Sequence, residues 1–459
     1  MQALHACTRS SRQHPDWHGS LPSGSHSQHE ALAFLADSDA PTFQQAISSS
    51  DAPQWRAAMA EEMAALTSYN TFTLVDLPAG KKALPSRWVL TIKRDATGEI
   101  LRYKARCVAK GFAQVPGVDF TEVYAPTLSQ STLRTLLSFA AAHDYEIEQL
   151  DVKTAFLNGD LDEEIYLQPP PGLSTAGKVL RLHRALYGLR QAPRAWHKRL
   201  STALQERGFL PTILDASMYQ IAPEGNMATF LLVHVDDVVI LAPDGLQAKL
   251  AKQAIMVPFD ARDLGPLQHF CGITFVRDRA ARTITVLQSH YIANLVDRFG
   301  IAKARSASTP LPPGLKLEKA DPGLVDETLP FPELVGALNW LSLSSRPDIS
   351  FSVSLLARHL KAPAKEHWAA GMHVLRYLKS TSDKGLTLGR KPGGSLQLHA
   401  FADADLGGDV STGKSTTGVV VFFGLGPVSW FSRRQECALS PLGRLSTLLL
   451  LLRLGSCRA

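Results

Sequence analysis

Two adjacent carboxylates interrupt an apolar, β-branched run in the stretch FLLVHVDDVVILA, residues 230–242. As ionised groups in a buried strand, Asp236 and Asp237 would cost several kcal/mol unless something cationic met them. The plain alternative is a tight hairpin, because aspartate suits turns and needs no ligand there. This pair alone does not decide between a turn and a cation site.

A second stretch has the same construction. In the stretch IEQLDVKTAFLNG, residues 147–159, an apolar predicted strand ends at Asp151 and is followed by Phe156 and a turn. Aspartates that converge on adjacent strands would offer the oxygen ligands that Mg²⁺ prefers, at about 2.0–2.1 Å. Two such ions, roughly 3.5–4 Å apart, serve phosphoryl transfer: one lowers the pKa of the attacking hydroxyl and the other neutralises the leaving pyrophosphate. The repeated pattern therefore predicts two-metal chemistry.

Cations that a triphosphate would need lie on a predicted β-hairpin, residues 86–111, whose turn is Asp95 to Gly98. Its basic residues include Lys93, Arg94, Arg102, Lys104, Arg106 and Lys110. The alternative is a solvated charged face. A second basic block, residues 181–200, contains no acid and includes Tyr187 and Trp196. It suits a surface that follows a nucleic-acid backbone and stacks on bases, although an aromatic stripe on a helix is more often core.

Composition sets broad limits. The 459 residues are 45% hydrophobic, enough for two or three folded units, and the net charge of +6 is compatible with a polyanionic partner. The five cysteines lack the spacing of a zinc site or a disulfide scaffold, which favours a reducing, intracellular setting over secretion. No apolar run approaches the ~20 residues of a membrane span, so we expect a soluble protein.

Periodicity predicts the following organisation. Residues 1–40, rich in Ser, His, Gln and Pro, favour disorder over metal binding. Folded structure is expected to begin near Trp55, where WRAAMAEEMAAL has helical spacing. Further amphipathic helices are predicted at 132–144 and 194–208, a Pro-rich linker at Pro310 to Pro332, two or three helices over 333–380, and a strand in SLQLHAFADADLGG.

From about Pro41 to Cys437 the ordered motifs resemble the reverse transcriptase of copia-type LTR retrotransposons. The motifs that carry the resemblance are WRAAMAEEM, RYKARCVAKGFAQVPGVDFTEVYAPT, QLDVKTAFLNGDLDEEIYLQPPPGL, LYGLRQAPRAWH, LLVHVDDVVILA, DLGPLQHFCGI, SRPDISFSV, LRYLKST and FADADLGG. The family implies an α+β, right-hand polymerase with fingers, palm and thumb, followed by connection helices and an RNase H-like domain. The expected division is a disordered leader at 1–40, the polymerase at 41–310, linker and connection at 311–390, a partial RNase H-like domain at 391–437 and an aberrant tail at 438–459.

The resemblance also implies roles for particular residues. Asp151 resembles the first metal ligand of the palm, and Asp236 and Asp237 resemble the paired aspartates of the catalytic hairpin, with Asp236 the more direct ligand. Phe156 matches the aromatic residue that stacks under the sugar and excludes a ribose 2′-hydroxyl, although an ordinary core phenylalanine is the alternative. The remaining nucleotide-binding residues implied by the family are Lys104, Arg106, Tyr187 and Gly188, and HFCGI at 269–273 is similar to the strand that holds the primer end.

The family's partners and cofactors follow as expectations. They are two Mg²⁺ ions, with Mn²⁺ as an alternative, an RNA template, a DNA or tRNA primer, and dNTPs, in a cytoplasmic particle or the nucleus and without a membrane. The sequence leaves the oligomeric state open. Two rival readings are a decayed relic that at most binds nucleic acid, since no protease or integrase precedes the polymerase, and a gene-model fragment without a stable product.

Some positions depart from the family pattern. His234 stands where tyrosine is usual, which removes a phenol, and Cys107 and Cys271 stand where leucine is usual. Asp403 resembles the first RNase H carboxylate, but the pattern stops at PLGRLSTLLLLLRLGSCRA, and no acidic residue follows Glu436. We interpret this end as a frameshift or mis-splicing. We therefore expect RNase H activity to be lost, because the one remaining carboxylate cannot hold two metal ions.

Overall fold

A computed structural model describes residues 40–94, 99–222, 227–391, 393–409 and 411–436. Over these ranges α-helices pack on several small sheets whose strands pair antiparallel, apart from one parallel pair. The predicted mixture of helices and antiparallel sheets is thus present. The predicted leader up to residue 39, the hairpin turn at 95–98 and the tail at 438–459 lie outside the described residues.

The helices of the described residues are numbered in chain order. They are α1 Phe43–Ser48, α2 Ala52–Ser68, α3 Gln130–His143, α4 Ala192–Gln205, α5 Gly245–Met256, α6 Ser289–Arg298, α7 Phe331–Ser344, α8 Ser350–Ala357 and α9 Lys365–Ser380. Short 3₁₀ turns add Gly111–Ala113, Ala155–Asn158, Pro322–Leu324 and Pro347–Ile349. The helices predicted at 132–144 and 194–208 and the trio after residue 333 are confirmed, with ends shifted by a few residues.

The strands are numbered in the same way. They are β1 Phe72–Val75, β2 Ala83–Leu84, β3 Ser86–Arg94, β4 Ile100–Ala109, β5 Glu146–Val152, β6 Asp160–Leu167, β7 Val179–Arg184, β8 Leu210–Pro211, β9 Met218–Ile221, β10 Thr229–His234, β11 Asp237–Ala242, β12 Ala261–Pro266, β13 His269–Phe270, β14 Ile273–Asp278, β15 Thr283–Leu287, β16 Leu386–Gly389, β17 Leu398–Ala404, β18 Thr416–Phe423 and β19 Gly426–Arg434.

The largest sheet has six strands in the order β12-β5-β11-β10-β9-β8, and we call it the central sheet. Its residues alternate between two apolar layers, as the two-residue period of a strand requires. Leu150 and Ile240 face a layer formed with α4 and α5, whereas Ile147, Val239 and Leu232 face a layer formed with α3. Both layers are buried, which explains why β10 and β11 read as almost continuous apolar runs.

Beside the central sheet, β3 and β4 form the predicted two-stranded hairpin, which packs on α2. Folded structure begins earlier than the predicted start near Trp55, because α1 already buries Ala46 completely. Thr42 and Gln45 form a capping box that starts this helix, with the Thr42 N–H donating to Gln45 Oε1 over 2.8 Å. The Thr-x-x-Gln spacing was the signal for this helix.

The segment predicted as a linker, residues 310–332, contains the 3₁₀ turn Pro322–Leu324 and the first two residues of α7, and it lies against the following helices. The backbone N–H of Asp326 donates to the Pro363 carbonyl over 2.8 Å, and the Glu318 carbonyl lies 2.8 Å from His367 Nε2. After α9, β16 returns to pair with β15, so the four-stranded sheet β13-β14-β15-β16 contains residues from both sides of the segment. The division at residues 310 and 311 stays a prediction.

The buried side chain of Arg134 connects α3 to the C-terminal part of the chain. Its guanidinium donates to the carbonyls of Val428, Leu343 and Ser344 and lies 4.0 Å from the centre of the Trp430 ring. These partners belong to β19 and to the end of α7, where helix carbonyls lack intrahelical donors. One side chain of α3 thus satisfies groups on two other elements.

No helix within the described ranges combines the length and the apolar character needed to cross a bilayer.

Candidate active site

Asp151 and Asp237 are direct cross-strand neighbours at one end of the central sheet. Asp151 lies in β5 and Asp237 begins β11, and the register pairs them with each other. Residues directly opposite in an antiparallel pair share a face and have Cβ atoms roughly 4.5–5.5 Å apart. The structure therefore brings together the two aspartate-bearing stretches that the sequence placed 85 positions apart in FLLVHVDDVVILA and IEQLDVKTAFLNG.

Asp236 occupies the two-residue turn between β10 and β11 with Val235, whose φ of 57° is left-handed. The backbone of this turn is fixed from two sides. The Trp196 indole N–H donates to the Val235 carbonyl over 2.6 Å, and the Val152 N–H donates to the Asp236 carbonyl over 2.7 Å. The turn interpretation of the aspartate pair is confirmed, and the turn is anchored beside a third carboxylate, so the cation site stays a prediction.

The electrostatics of this cluster disfavour three ionised carboxylates without a cation. Burial, followed by repulsion from Asp236, raises the pKa of Asp237 to about 6, although Gln149 donates to its Oδ1 over 3.2 Å. Burial and Asp236 also raise the pKa of Asp151, against the lowering effect of nearby basic side chains. Closely held carboxylates of this kind are stabilised by a bound cation.

The donor chemistry fits a hard divalent cation. No group of three or more His, Cys, Asp or Glu side chains in the described part of the chain is arranged to enclose a metal ion. Mg²⁺ does not require such a cage, because it keeps several waters and binds through one or two carboxylates together with substrate phosphates. Asp151, Asp236 and Asp237 can supply these carboxylate oxygens.

The basic face of the β3–β4 hairpin is directed toward this cluster. Lys104 and Arg106 alternate along β4 and therefore share a face, and both lower the pKa of Asp151. Burial, followed by repulsion from Arg106, lowers the pKa of Lys104. Of the other hairpin cations, Arg102 forms an exposed ion pair with Glu61 at 3.7 Å, and the Arg94 side chain is not described.

Tyr187 and Gly188 connect Phe156, which follows β5, to the β3–β4 hairpin. The rings of Phe156 and Tyr187 meet edge to face with centroids 4.8 Å apart, and the Arg106 guanidinium lies 4.8 Å from the Tyr187 ring centre. Gly188 has a φ of +90°, and a Cβ there would lie 2.1 Å from the Ala109 carbonyl oxygen. Only glycine allows these two backbones to approach so closely.

Phe156 also packs against buried apolar residues of two layers, so the core interpretation of this residue is partly correct. For Trp196 the core interpretation holds entirely. Its side chain is 2% exposed within α4, and the expectation that it stacks on bases is wrong. Part of the basic block is also paired with acids, since Lys198 contacts Asp162 at 3.3 Å and Arg194 contacts Glu122.

His234 and the 269–273 turn meet beside the aspartates. His234 is the cross-strand partner of Asp237 in β10, so it shares the face of the carboxylates. Its Nδ1 lies 3.4 Å from the Cys271 sulfur, and its ring meets Phe270 edge to face at 5.9 Å. Cys271 has a left-handed φ of 50°. The stretch resembling a primer-holding strand is therefore adjacent to the aspartate turn.

Asp403 lies in a different sheet, β17-β18-β19, and is not part of this cluster. All seven residues of β17 are exposed. Asp403 Oδ1 accepts a hydrogen bond from the Ala404 N–H over 2.8 Å. The residues from Cys437 onward, which include the stretch PLGRLSTLLLLLRLGSCRA where the family pattern stops, lie outside the described ranges.

Sequence reasoning missed Gln149 and Glu62. Gln149 is 5% exposed and donates to Asp237, and its position two residues before Asp151 on one strand was the available signal. Glu62 of α2 accepts a hydrogen bond from the Cys107 N–H over 3.2 Å and lies near Lys104 and Arg106. No local signal points to Glu62, because its partners lie on β4, about 45 positions further along the chain.

Comparison with known proteins gives consistent matches. Residues 69–313 match the family described as "Reverse transcriptase (RNA-dependent DNA polymerase)". The chain is 40% identical over 418 residues to the retrovirus-related Pol polyprotein from transposon TNT 1-94 of Nicotiana tabacum, covering 89% of this chain and 31% of that protein. It is 35% identical over 410 residues to the Pol polyprotein from transposon RE2 of Arabidopsis thaliana, covering 88% of this chain and 28% of that protein. This chain thus spans under a third of either polyprotein.

A shorter relative is matched over most of its length. The chain is 32% identical over 291 residues to a putative transposon Ty5-1 protein of Saccharomyces cerevisiae, covering 62% of this chain and 93% of that protein. Among solved structures, a foamy viral protease-reverse transcriptase in complex with double-stranded DNA matches with a TM-score of 0.42 and 12% identity, over 87% of this chain and 61% of that chain. That TM-score is too low to establish a shared fold.

Proposed function

This chain belongs to the reverse transcriptase (RNA-dependent DNA polymerase) family and carries the reverse transcriptase domain of a retrotransposon Pol polyprotein, and from that premise we propose that it extends a primer with dNTPs on an RNA template. The resemblance stated from the motifs is thereby confirmed, and the activity of this copy is the proposal. The observation that carries it is the cross-strand pairing of Asp151 with Asp237 beside Asp236, faced by Lys104 and Arg106.

In this proposal Asp151, Asp236 and Asp237 hold the divalent ions, two Mg²⁺ or alternatively Mn²⁺. When bound, these ions would activate the primer 3′-hydroxyl and neutralise the charge that develops on the pyrophosphate. The protein's own contribution is to hold the carboxylates on one face of a rigid sheet, with Gln149 orienting Asp237. Such positioning and charge stabilisation are the main sources of rate in phosphoryl transfer.

The nucleotide pocket is assigned to the wall beside the aspartates. Lys104 and Arg106 bind the triphosphate, since their charges already act on Asp151. Phe156 supports the sugar and excludes a ribose 2′-hydroxyl, and Tyr187 and Gly188 complete the pocket. The contact of Arg106 with Tyr187 links the phosphate-binding and sugar-binding parts.

The right-hand architecture belongs to the same proposal. The central sheet with α3, α4 and α5 would be the palm, and the β3–β4 hairpin with α1 and α2 would belong to the fingers. The thumb, the connection helices and a partial RNase H-like domain would follow, with RNase H activity lost. The partners are the RNA template, a DNA or tRNA primer and dNTPs, inside the cell in a cytoplasmic particle or the nucleus.

Primer extension on poly(rA)/oligo(dT) with Mg²⁺ tests this function. We expect the wild-type chain to incorporate dTTP and Asp236→Asn to abolish incorporation without lowering the melting temperature. Asp321→Asn, which alters an exposed aspartate of the 310–332 segment, is the matched control and should extend normally.

The rival readings give different outcomes in the same preparation. A wild-type chain that binds the primer–template but extends nothing would be the decayed relic. A chain that limited proteolysis digests without a resistant core would be the fragment with no stable product. Full incorporation by Asp236→Asn would remove the assignment of that residue.

A further inference from the structure

One polar atom of a core side chain reaches the turn that carries Asp236. The Trp196 indole N–H of α4 donates to the Val235 carbonyl over 2.6 Å, although the two residues lie 39 positions apart in the chain. The rest of the indole is buried in the apolar layer formed with α4 and α5, where its ring meets Phe259 edge to face with centroids 5.0 Å apart. Close packing of the ring therefore fixes the direction in which the N–H points.

Val235 is an unfavourable residue for the backbone conformation that it adopts. Its φ of 57° lies in the left-handed region, which β-branched side chains rarely occupy. Two-residue hairpin turns whose first residue has a positive φ favour glycine there. A residue in such a conformation persists only where the surrounding structure holds it, and residues of this kind cluster at functional sites. The bond from Trp196 acts on the carbonyl of this residue, one position before Asp236.

The backbone of α4 at Trp196 is itself held in place. Gly159 packs against it so closely that a Cβ on Gly159 would lie 2.8 Å from the Trp196 amide nitrogen. Gly159 follows the 3₁₀ turn that contains Phe156, and its N–H donates to the Phe156 carbonyl over 2.9 Å. Trp196 therefore contacts the Phe156 turn through its backbone and the aspartate turn through its side chain.

We propose that Trp196 is a positioning residue for primer extension, whose indole N–H holds the turn between β10 and β11 so that Asp236 stays beside Asp151 and Asp237. This inference rests on the proposed function and deepens it. The Val152 N–H, which donates to the Asp236 carbonyl over 2.7 Å, holds the same turn to β5. Loss of the indole N–H would remove one of these two attachments, and a displacement of about 1 Å at a reacting group can cost about a hundredfold in rate.

Trp196→Phe tests the inference, because phenylalanine keeps a buried aromatic ring and removes the N–H. Trp430→Phe is the matched control, since the buried Trp430 indole donates to the Ser342 carbonyl over 2.7 Å and lies in the sheet β17-β18-β19. Both variants lose one buried hydrogen bond and some packing, so their melting temperatures should fall by similar amounts. If Trp196→Phe does not fold, benzothienylalanine at position 196, which has the shape of tryptophan with sulfur in place of the N–H, replaces it in every measurement.

Initial rates on poly(rA)/oligo(dT) with Mg²⁺, measured below both melting temperatures, separate the two variants. We expect Trp196→Phe to lower kcat about thirtyfold and to leave the KM for dTTP within about threefold of the wild type, because the residues assigned to the nucleotide pocket are intact. Trp430→Phe should keep kcat within about twofold. Equal kcat values in the two variants would overturn the inference.

Amide hydrogen exchange followed by mass spectrometry gives a readout that does not need activity. In Trp196→Phe, exchange should rise about tenfold in peptides that cover Val152 and residues 234–237, and it should be unchanged at residues 155–159, which contact α4 through its backbone. Trp430→Phe should leave exchange at all of these residues unchanged. If the wild-type chain extends nothing, the proposed function fails, while exchange still decides whether Trp196 holds the turn. Unchanged exchange at Val152 and residues 234–237 in Trp196→Phe would overturn the inference.

Discussion

The end of the central sheet and the three-stranded sheet β17-β18-β19 both carry strand-borne aspartates, yet they differ in what surrounds those residues. Asp151 is flanked on both sides by strands, lies within reach of the charges of Lys104 and Arg106 on the β3–β4 hairpin, and is paired in register with a second aspartate. Asp403 lies on an edge strand whose seven residues are all exposed. An aspartate at a strand end is therefore not enough for a site. The pKa values of Asp151 and Asp237 are raised because several elements bring carboxylates together and bury them.

The largest expected effect separates these two aspartates directly. Asp151→Asn should lower the rate of primer extension by at least about a thousandfold, because it removes a carboxylate that would bind the divalent ions. Asp403→Asn should leave extension within about twofold of the wild type, because Asp403 lies in another sheet. Initial rates on poly(rA)/oligo(dT) measure both. Comparable losses in the two variants would contradict the comparison.

The second effect concerns the side chain that connects the two regions. Arg134→Met should lower the free energy of unfolding by about 3 kcal/mol, because it leaves buried carbonyls at the end of α7 and in β19 without a donor. Burial lowers the pKa of Arg134 to about 9, so the guanidinium is still charged at neutral pH and its loss also removes the contact with the Trp430 ring.

Urea unfolding followed by circular dichroism measures this change. Arg134→Lys, which keeps the charge but cannot reach three carbonyls, should fall between Arg134→Met and the wild type. A free energy of unfolding within about 0.5 kcal/mol of the wild type for Arg134→Met would show that the two regions do not depend on this connection.

How much of this comparison the sequence could predict depends on the range of the interactions. The strand that ends in Asp151 and the turn at Asp236 follow from two-residue alternation and turn residues, which are local signals. The register of β5 with β11 and β12 is not local, because it is fixed by packing against α3, α4 and α5. For that reason the pairing of Arg262 with Asp151 could not be predicted from the sequence, whereas Gln149 could be recognised only by its position two residues before Asp151.

The C-terminal half shows the same limit. The three helices after residue 333 were predicted from their apolar periodicity, but the return of β16 to β15 was not, since a four-residue strand gives almost no pattern. Arg134 was read as part of an amphipathic helix. Its burial could not be predicted, because the carbonyls that receive it come from α7 and β19, more than 200 positions further along the chain.

A smaller effect is a dependence of stability on pH near the three-stranded sheet. His359 stacks on His367 with ring centres 4.0 Å apart and lies near Arg358, Asp409 and Arg434. Burial, followed by repulsion from His367 and Arg358, lowers the pKa of His359 from 6.5 to about 4. The unfolded chain therefore takes up a proton below pH 6.5 that the folded chain resists, and stability is lost as the pH falls from 6.5 to about 4.

We expect His359 to account for about 2 kcal/mol of this loss, after allowance for screening by solvent. Replacing His359 with Leu should flatten the curve in that range, and His290→Leu, at an exposed histidine, should not. Although burial alone would raise the pKa of Asp409, hydrogen bonds from Ser411, Arg434 and Thr412 hold it well below its usual range, so its contribution is lost only at lower pH. Unfolding curves at pH 7, 5.5 and 4.5 measure the free energy of unfolding at each pH. If His359→Leu leaves its dependence on pH unaltered, His359 is not the source of the loss of stability.

The smallest effect tests the exposure of β17 itself. Phe401 is 62% exposed, whereas Val239 in the central sheet is fully buried. Val239→Ala should lower the free energy of unfolding by about 2 kcal/mol through lost burial and a cavity, while Phe401→Ala should change it by less than about 0.5 kcal/mol. A cost at Phe401 equal to that at Val239 would mean that β17 is covered in solution.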